Sequence, residues 1–247
     1  MYRGLNKKIF NTIMIIVIIF VILFVGGILA LKYQVEGETN APFKITKISI
    51  IESVEGLENQ GTAEKWNLNV NQNNDIYVYI EKNSNYGKTE IIEEVEINNI
   101  VMNKQNEKGE LKLYKPVEDE KRMFINSTEN EISNIIYKGE LESNIKEQKI
   151  SNQGGIVAFR YAINNISQYV SQTDEQIDHS QLLKLTNLTQ EDLKTKLSFD
   201  IIIKLTGGKK YQATINLDIP ANEIIEKGTV GTDITKLNNI VFKRIEN

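Results

Sequence analysis

The chain has 247 residues, no cysteine and a formal net charge of −4. The absence of cysteine excludes disulfides, thiol nucleophiles and cysteine-ligated zinc. Residues 1–32 carry four Lys or Arg and no acid, so the remainder has a formal charge of about −8. Such a charge disfavours a nucleic-acid partner, because binding to phosphates depends on cationic side chains that release counterions.

Residues 9–31 form a nearly continuous apolar segment, polar only at Asn11 and Thr12. As a helix it would cover roughly 30 Å, the thickness of the hydrocarbon core of a bilayer. Basic residues precede it and no acid occurs before Glu36. The positive-inside rule therefore predicts a cytoplasmic N-terminus at 1–8, a transmembrane helix at 9–31 and an extracytoplasmic remainder.

The alternative for this segment is a cleavable signal peptide with Ala30 at the cleavage site. The apolar run is longer than the roughly 7 to 15 residues of a signal sequence, which favours the anchor. Within the anchor, Gly26 and Ala30 have the four-residue spacing that lets two helices approach closely. The competing interpretation is the ordinary tolerance of glycine in membrane helices.

After a polar linker at 32–42, hydrophobicity alternates with period two, which is typical of strands. A first strand is predicted at 43–51. Residues 66–71 and 76–81 each alternate, and the polar sequence Gln72-Asn73-Asn74-Asp75 between them suits a turn. We therefore predict a β-hairpin over residues 66–81.

The rest of the chain predicts more strands and little helix. A turn at Gly207-Gly208 joins two of these strands, since paired glycines suit a tight hairpin. Capping boxes predict short helices starting at Thr173 and Thr189. The other predicted strands lie at 91–102, 110–114, 122–125, 132–141, 156–163, 197–205, 209–219 and 240–245. These features predict an all-β fold, an antiparallel β-sandwich with one or two short helices at 43–247; two smaller β-domains are the alternative.

One face of the predicted hairpin combines amides with aromatic rings. Asn67, Asn69 and Asn71 share it with Tyr77 and Tyr79. Tyrosine can stack on the apolar face of a sugar while amides bind its hydroxyls, which suggests a glycan-binding surface. The simpler interpretation is a half-solvated sheet face, where tyrosine is favoured by β-propensity.

Asp174, Asp178 and His179, with Glu175 beside them, form the clearest set of potential metal ligands. On a helix Asp174 and Asp178 would face the same way, and two carboxylates with an imidazole can hold a divalent cation. The competing interpretation is a helix cap with acids in the first turn. No cofactor is predicted beyond this metal hypothesis.

These patterns favour a membrane-anchored, non-catalytic binding or scaffold domain of the bacterial envelope. Its expected partner is an envelope protein, or less favourably a wall glycan. His179 is the sole histidine and lies in no recognisable nucleophile motif. The alternative is a carboxylate-dependent enzyme acting on wall polymer, because an acidic β-protein offers many possible carboxylate pairs.

Overall fold

The chain forms two β-sheets with a few short helices, preceded by an apolar N-terminal helix. The structure, a computed structural model, describes residues 7–34, 41–59, 67–104, 107–119, 121–141, 148–171, 178–237 and 239–245. The predicted mostly β fold is thus confirmed within these ranges.

The first helix, α1, spans Lys7–Gln34. Its segment Asn11–Leu29 has a mean hydropathy of 3.2 and is not buried against the rest of the chain. By length and composition this helix is able to cross a membrane, and a signal sequence has the same properties. Gly26 lies in the helix with open space around it.

The first sheet has the strand order β10-β1-β2-β7-β4, and the second the order β11-β9-β8-β3-β5-β6. The strand pairs of the described residues are antiparallel, as predicted, except for the short parallel pairing of β5 with β6 at one edge. The strands of the first sheet are β1 (Phe43–Glu58), β2 (Asn67–Lys82), β4 (Glu110–Tyr114), β7 (Gly154–Val170) and β10 (Thr229–Ile234). Those of the second are β3 (Ile92–Lys104), β5 (Ile135–Gly139), β6 (Lys149–Ile150), β8 (Thr195–Leu205), β9 (Lys210–Ile219) and β11 (Lys243–Ile245).

The predicted hairpin at 66–81 was wrong, because β2 is one continuous strand of 16 residues. The polar sequence Gln72-Asn73-Asn74-Asp75 lies at its centre, paired with β1 on one side and β7 on the other. All four side chains are buried. A polar segment can continue a strand when neighbouring strands and loops supply partners for its side chains, and these partners come from distant parts of the chain.

Other local predictions differ in outcome. The segment 122–125 is irregular rather than a strand, whereas the turn at Gly207-Gly208 is present, with Gly208 at a φ of 78°. Thr189 begins helix α3 (Gln190–Leu193) with the expected reciprocal capping box to Asp192. The start of the helix predicted from Thr173 lies outside the described residues, and at Asp178 the backbone is extended rather than helical. Two further helices were not predicted, α2 (Leu182–Leu185) and α4 (Ile224–Lys227).

Buried apolar side chains form two clusters. The larger cluster contains residues of both sheets; in it the rings of Phe159 (β7) and Phe199 (β8) meet edge to face at 5.3 Å. The smaller cluster packs the short helices α2, α3 and α4 against one end of the first sheet. Tyr137 of β5 also joins the sheets, because its hydroxyl donates to the carbonyl oxygen of Ala158 at 2.7 Å and accepts from its amide at 3.0 Å.

Candidate functional site

The polar centre of β2 supplies side chains to both faces of the first sheet. Successive strand residues point to opposite faces, so Gln72 and Asn74 share the inner face with the apolar Val70 and Ile76. Asn73 and Asp75 project from the outer face, where an open pocket of about 440 Å³ lies. One unusual stretch of sequence therefore creates two polar sites.

The outer pocket, as we name it, is a polar depression with two aromatic rings. Tyr77 and Phe124 contact each other edge to face there, with ring centroids 6.4 Å apart. Residues of β1, β2, β7, the segment 121–124 and the 3₁₀ turn His179–Gln181 line it: Ser53, Val54, Glu55, Asn73, Asp75, Tyr77, Lys121, Arg122, Met123, Phe124, Arg160 and His179.

An ion pair between Asp75 and Arg160 lies at the base of the outer pocket. The Arg160 Nε donates to Asp75 Oδ1 at 2.5 Å and Nη2 donates to Oδ2 at 3.0 Å, a bidentate geometry. Both side chains are only 11 % exposed. Burial raises the pKa of Asp75 above its ordinary value, while the hydrogen bonds and charge of Arg160 oppose this shift. The guanidinium also lies 5.2 Å from the centre of the Phe124 ring.

Amide side chains extend this pair into a network across the sheet. Arg160 Nη1 donates to Asn126 Oδ1 at 3.0 Å, and Asn126 Nδ2 donates to the Oδ1 atoms of Asn73 at 2.9 Å and Asn164 at 3.2 Å. At the rim, Glu55 accepts from Asn73 at 3.4 Å and from Arg122 at 3.2 Å. The network therefore holds the polar groups of the pocket in defined orientations before any ligand arrives.

The structure separates the two tyrosines of the predicted glycan surface. Tyr77 lines the outer pocket, whereas the ring of Tyr79 is covered by the Lys47 ammonium, 4.2 Å from the ring centroid. Cation–π contact of this kind occupies the ring face that a sugar would use. Of the two rings, only Tyr77 belongs to the pocket.

Two of the three asparagines of that surface, Asn69 and Asn71, have structural contacts instead. Asn69 Oδ1 accepts from Asn59 at 3.2 Å and from Gln168 at 3.3 Å. Asn71 is buried at an irregularity of the β2–β7 ladder, where it accepts the backbone amide of Asn165 at 2.8 Å. Asn67 has a buried Oδ1 atom without a hydrogen-bond partner. None of the three lines the outer pocket.

The structure places the predicted metal ligands in two different roles. Asp178 caps the 3₁₀ turn His179–Gln181 by accepting the Ser180 amide at 2.9 Å, and hydrogen bonds from Ser180 lower the pKa of Asp178. His179 accepts the Gly56 amide through Nδ1 at 3.4 Å and borders the outer pocket. Asp174 and Glu175 lie outside the described residues. Within the part of the chain that the structure describes, no three His, Asp or Glu residues cluster as metal ligands.

The inner face carries the second polar site, which we name the polar row. It comprises Glu52, Gln72 and Asn74, together with the hydroxyls of Tyr161 and Thr195, which contact each other. On every strand it lies between residues of the larger and the smaller apolar cluster; on β1 it separates Ile50 from Val54. The acceptor atoms Glu52 Oε2, Gln72 Oε1 and Asn74 Oδ1 are buried and have no hydrogen-bond partner.

Burial raises the pKa of Glu52 from 4.5 to about 7. The folded state thus binds this proton more tightly than the unfolded state, so stability is highest below pH 4.5 and falls as the pH rises to 7. The shift corresponds to at most about 3 kcal/mol, and we expect about half because the protein and solvent relax around a charged carboxylate. Burial, and to a smaller extent the charge of Glu52, raises the pKa of Tyr161 well above its ordinary value, so this side chain stays neutral.

The expected result is that Glu52→Gln removes this pH dependence. Chemical denaturation between pH 4.5 and 8 in EDTA measures it, and the variant should exceed the wild type in stability at pH 8 by about 1 to 2 kcal/mol. Glu58→Gln, at an exposed position of the same strand, is the matched control. Equal pH profiles for Glu52→Gln and the wild type would contradict the prediction.

Sequence reasoning missed Asn73, Asp75, Arg160 and Glu52 as site residues. Arg160 could have been identified from the sequence, because an arginine in the middle of the apolar strand 156–163 requires a counter-charge when it is buried. Asp75 was assigned to a turn, and Glu52 follows the point where the first strand was expected to end.

The fold and the two polar sites define a two-sheet β-protein with an outer pocket and an internal polar row. No protein-family model, curated protein or solved structure matches this chain. The functional argument therefore rests on the sites themselves.

Proposed function

We propose that this chain is a membrane-anchored binding domain of the bacterial envelope, without catalytic activity, that engages its ligand at the outer pocket. The two sheets form a β-sandwich held outside the membrane by α1, with residues 1–8 in the cytoplasm. The basic N-terminus and the apolar segment Asn11–Leu29 support this orientation.

The observation that carries the proposal is the pre-formed polar network of the outer pocket. A binding site gains affinity when its polar groups are already oriented, because little conformational entropy is lost on association. Asn73, Asp75, Asn126 and Arg160 are oriented in this way. The surrounding apolar interior of the first sheet gives these groups a rigid support.

The same contacts argue against the alternative of a carboxylate-dependent enzyme. Glycoside hydrolysis uses one carboxyl group as an acid and a second as a base or nucleophile. Asp75 uses both oxygens to accept from Arg160, and Glu55 accepts from Asn73 and Arg122. Carboxylates engaged in this way orient a ligand better than they transfer protons.

Among ligand classes, a wall glycan fits the outer pocket in one specific respect. Tyr77 offers an aromatic ring beside the amide of Asn73 and the carboxylates of Asp75 and Glu55. Sugars are recognised by this combination of a ring surface and planar hydrogen-bonding groups. An envelope protein, the partner that the sequence favours, is the other candidate, supported by the open form of the pocket and its charged rim at Lys121 and Arg122.

The test is co-sedimentation of the full chain in detergent with purified sacculi, scoring both binding and released fragments. We expect binding without release. Tyr77→Ser should weaken binding about three- to tenfold, consistent with the loss of one aromatic contact. Tyr79→Ser should leave binding unchanged, because its ring is covered by Lys47.

Each other outcome contradicts a defined part of the proposal. Released fragments would show an enzyme and overturn the non-catalytic assignment. Equal losses in the two tyrosine variants would move the glycan surface away from the outer pocket. If no sacculi bind, the glycan is excluded, and a photo-crosslinking residue at Met123 in intact membranes then tests for a protein partner at the rim.

A further inference from the structure

The polar row contains more hydrogen-bond acceptors than donors. Glu52 Oε2, Gln72 Oε1 and Asn74 Oδ1 lack partners, in residues that are 2 %, 0 % and 0 % exposed. A buried acceptor left unpaired costs about 1–3 kcal/mol, and a charged one costs more. Three such atoms on one inner face therefore require hydrogen-bond donors or a cation between them.

The orientation of the two amides follows from their donor contacts. Gln72 Nε2 donates to the carbonyl oxygen of Leu193 at 3.0 Å, and Asn74 Nδ2 donates to that of Tyr161 at 3.4 Å. Rotating either amide by 180° would place its oxygen against a carbonyl oxygen. Both amide oxygens are thus directed away from these carbonyls and remain available as acceptors.

Strand pairing brings the three side chains together. Glu52 of β1 is directly opposite Asn74 of β2, and Gln72 is opposite Val54, one diagonal step away on the same face. Directly opposite side chains have Cβ atoms about 5 Å apart, and diagonal ones about 7 Å. Carboxylate and amide side chains at these separations can reach a common point.

The described cations do not satisfy these atoms. Arg160, the nearest buried guanidinium along the sheet, projects from the outer face and is used by Asp75 and Asn126. A proton on Glu52 would donate a single hydrogen bond, which leaves at least one amide oxygen unpaired. A metal ion can bind all three oxygens at once through their lone pairs.

We propose that the polar row binds a hard cation of the Ca²⁺ type, held by the Glu52 carboxylate and the amide oxygens of Gln72 and Asn74. Carboxylate and amide oxygens are the ligands that Ca²⁺ prefers. A single carboxylate gives little charge compensation, so the affinity falls in the range of extracellular calcium modules, with a Kd of roughly 10⁻⁴ to 10⁻³ M. The proposal is independent of the ligand of the outer pocket.

The test compares thermal unfolding of the full chain in detergent at pH 7.5 with EDTA, with 10 mM Mg²⁺ and with 10 mM Ca²⁺. A Kd of about 1 mM predicts a rise in Tm of roughly 3 to 6 °C in Ca²⁺. Glu52→Gln should abolish this rise, while Glu58→Gln should retain it. Equilibrium dialysis of the wild-type chain with radioactive Ca²⁺ should saturate at one ion per chain through the same site.

Two results with the wild type and Glu52→Gln would overturn the proposal. One is the absence of any saturable Ca²⁺ binding to the wild-type chain at 10 mM. The other is an unchanged Tm rise in Glu52→Gln, which would place the ion elsewhere. If Glu52→Gln fails to fold, Gln72→Met replaces it: this near-isosteric change removes one ligand oxygen and should weaken Ca²⁺ binding about tenfold, whereas unchanged binding would reject the site.

Discussion

Replacing Arg160 with leucine should lower the free energy of unfolding by about 3 kcal/mol. The change leaves the carboxylate of Asp75 buried without its bidentate partner, and losing one member of a buried pair typically costs 3–5 kcal/mol. We expect a loss at the lower end of this range, because the outer pocket is open and admits water to Asp75. Urea denaturation of the full chain in detergent measures the effect.

The double variant Asp75→Asn, Arg160→Leu isolates the cause. It removes the unpaired charge as well as the guanidinium, so we expect it to recover more than half of the lost stability. The control is Lys196→Leu, which breaks the exposed Lys196–Asp218 pair and should cost under about 1 kcal/mol. If Arg160→Leu lowers the free energy of unfolding by no more than the control does, the Asp75–Arg160 ion pair does not stabilise the fold at the outer pocket.

Tyr137→Phe should lower the free energy of unfolding by about 2 to 3 kcal/mol. The Tyr137 hydroxyl pairs with both the amide and the carbonyl of Ala158 on β7. Strand β4 pairs with β7 only between Arg160 and Asn164, so it does not pair with Ala158. The Tyr137 hydroxyl instead makes the hydrogen bonds to Ala158 that a neighbouring strand would make. Phenylalanine keeps the ring but leaves two buried backbone groups without a partner, each costing about 1–3 kcal/mol before relaxation.

Hydrogen exchange measures the loss of the Tyr137–Ala158 hydrogen bonds locally, because the Ala158 amide should exchange faster in Tyr137→Phe than in the wild type. Tyr169→Phe is the matched control: the ring is partly exposed, and the change should alter stability by under about 0.5 kcal/mol. An Ala158 amide protected equally in Tyr137→Phe and the wild type would contradict the bridging role.

The sequence predicted the regular parts of the fold well because their signals are local. The strand 110–114 was predicted with the observed bounds, and the capping box at Thr189 was confirmed. Both depend on residues that are neighbours in sequence. By contrast, β10 was not predicted, since its composition is weak and its pairing with β1 depends on residues about 180 positions away.

The two sites were harder to predict for the same reason. Gln72-Asn73-Asn74-Asp75 has the composition of a turn, and contacts from distant parts of the chain keep it extended and buried. These contacts are the pairing with β1 and β7 and the hydrogen bonds of Arg160 and Asn126. Glu52 continues the alternation of Ile48 and Ile50 on the inner face, but the expected end of the strand at residue 51 concealed it. Of the residues predicted for a glycan surface, Tyr77 lines the outer pocket, whereas the neighbouring Asn73 and Asp75 were not predicted as site residues.

The polar row also affects the local unfolding of this domain. It interrupts the apolar interior, so the smaller cluster beneath the helices α2, α3 and α4 shares few apolar contacts with the larger one. Cooperative units of opening follow such boundaries. We therefore expect the amides of the short helices to exchange through a separate, lower-energy event than those of Phe159 and Phe199, so that one end of the domain loosens while the sheets remain folded.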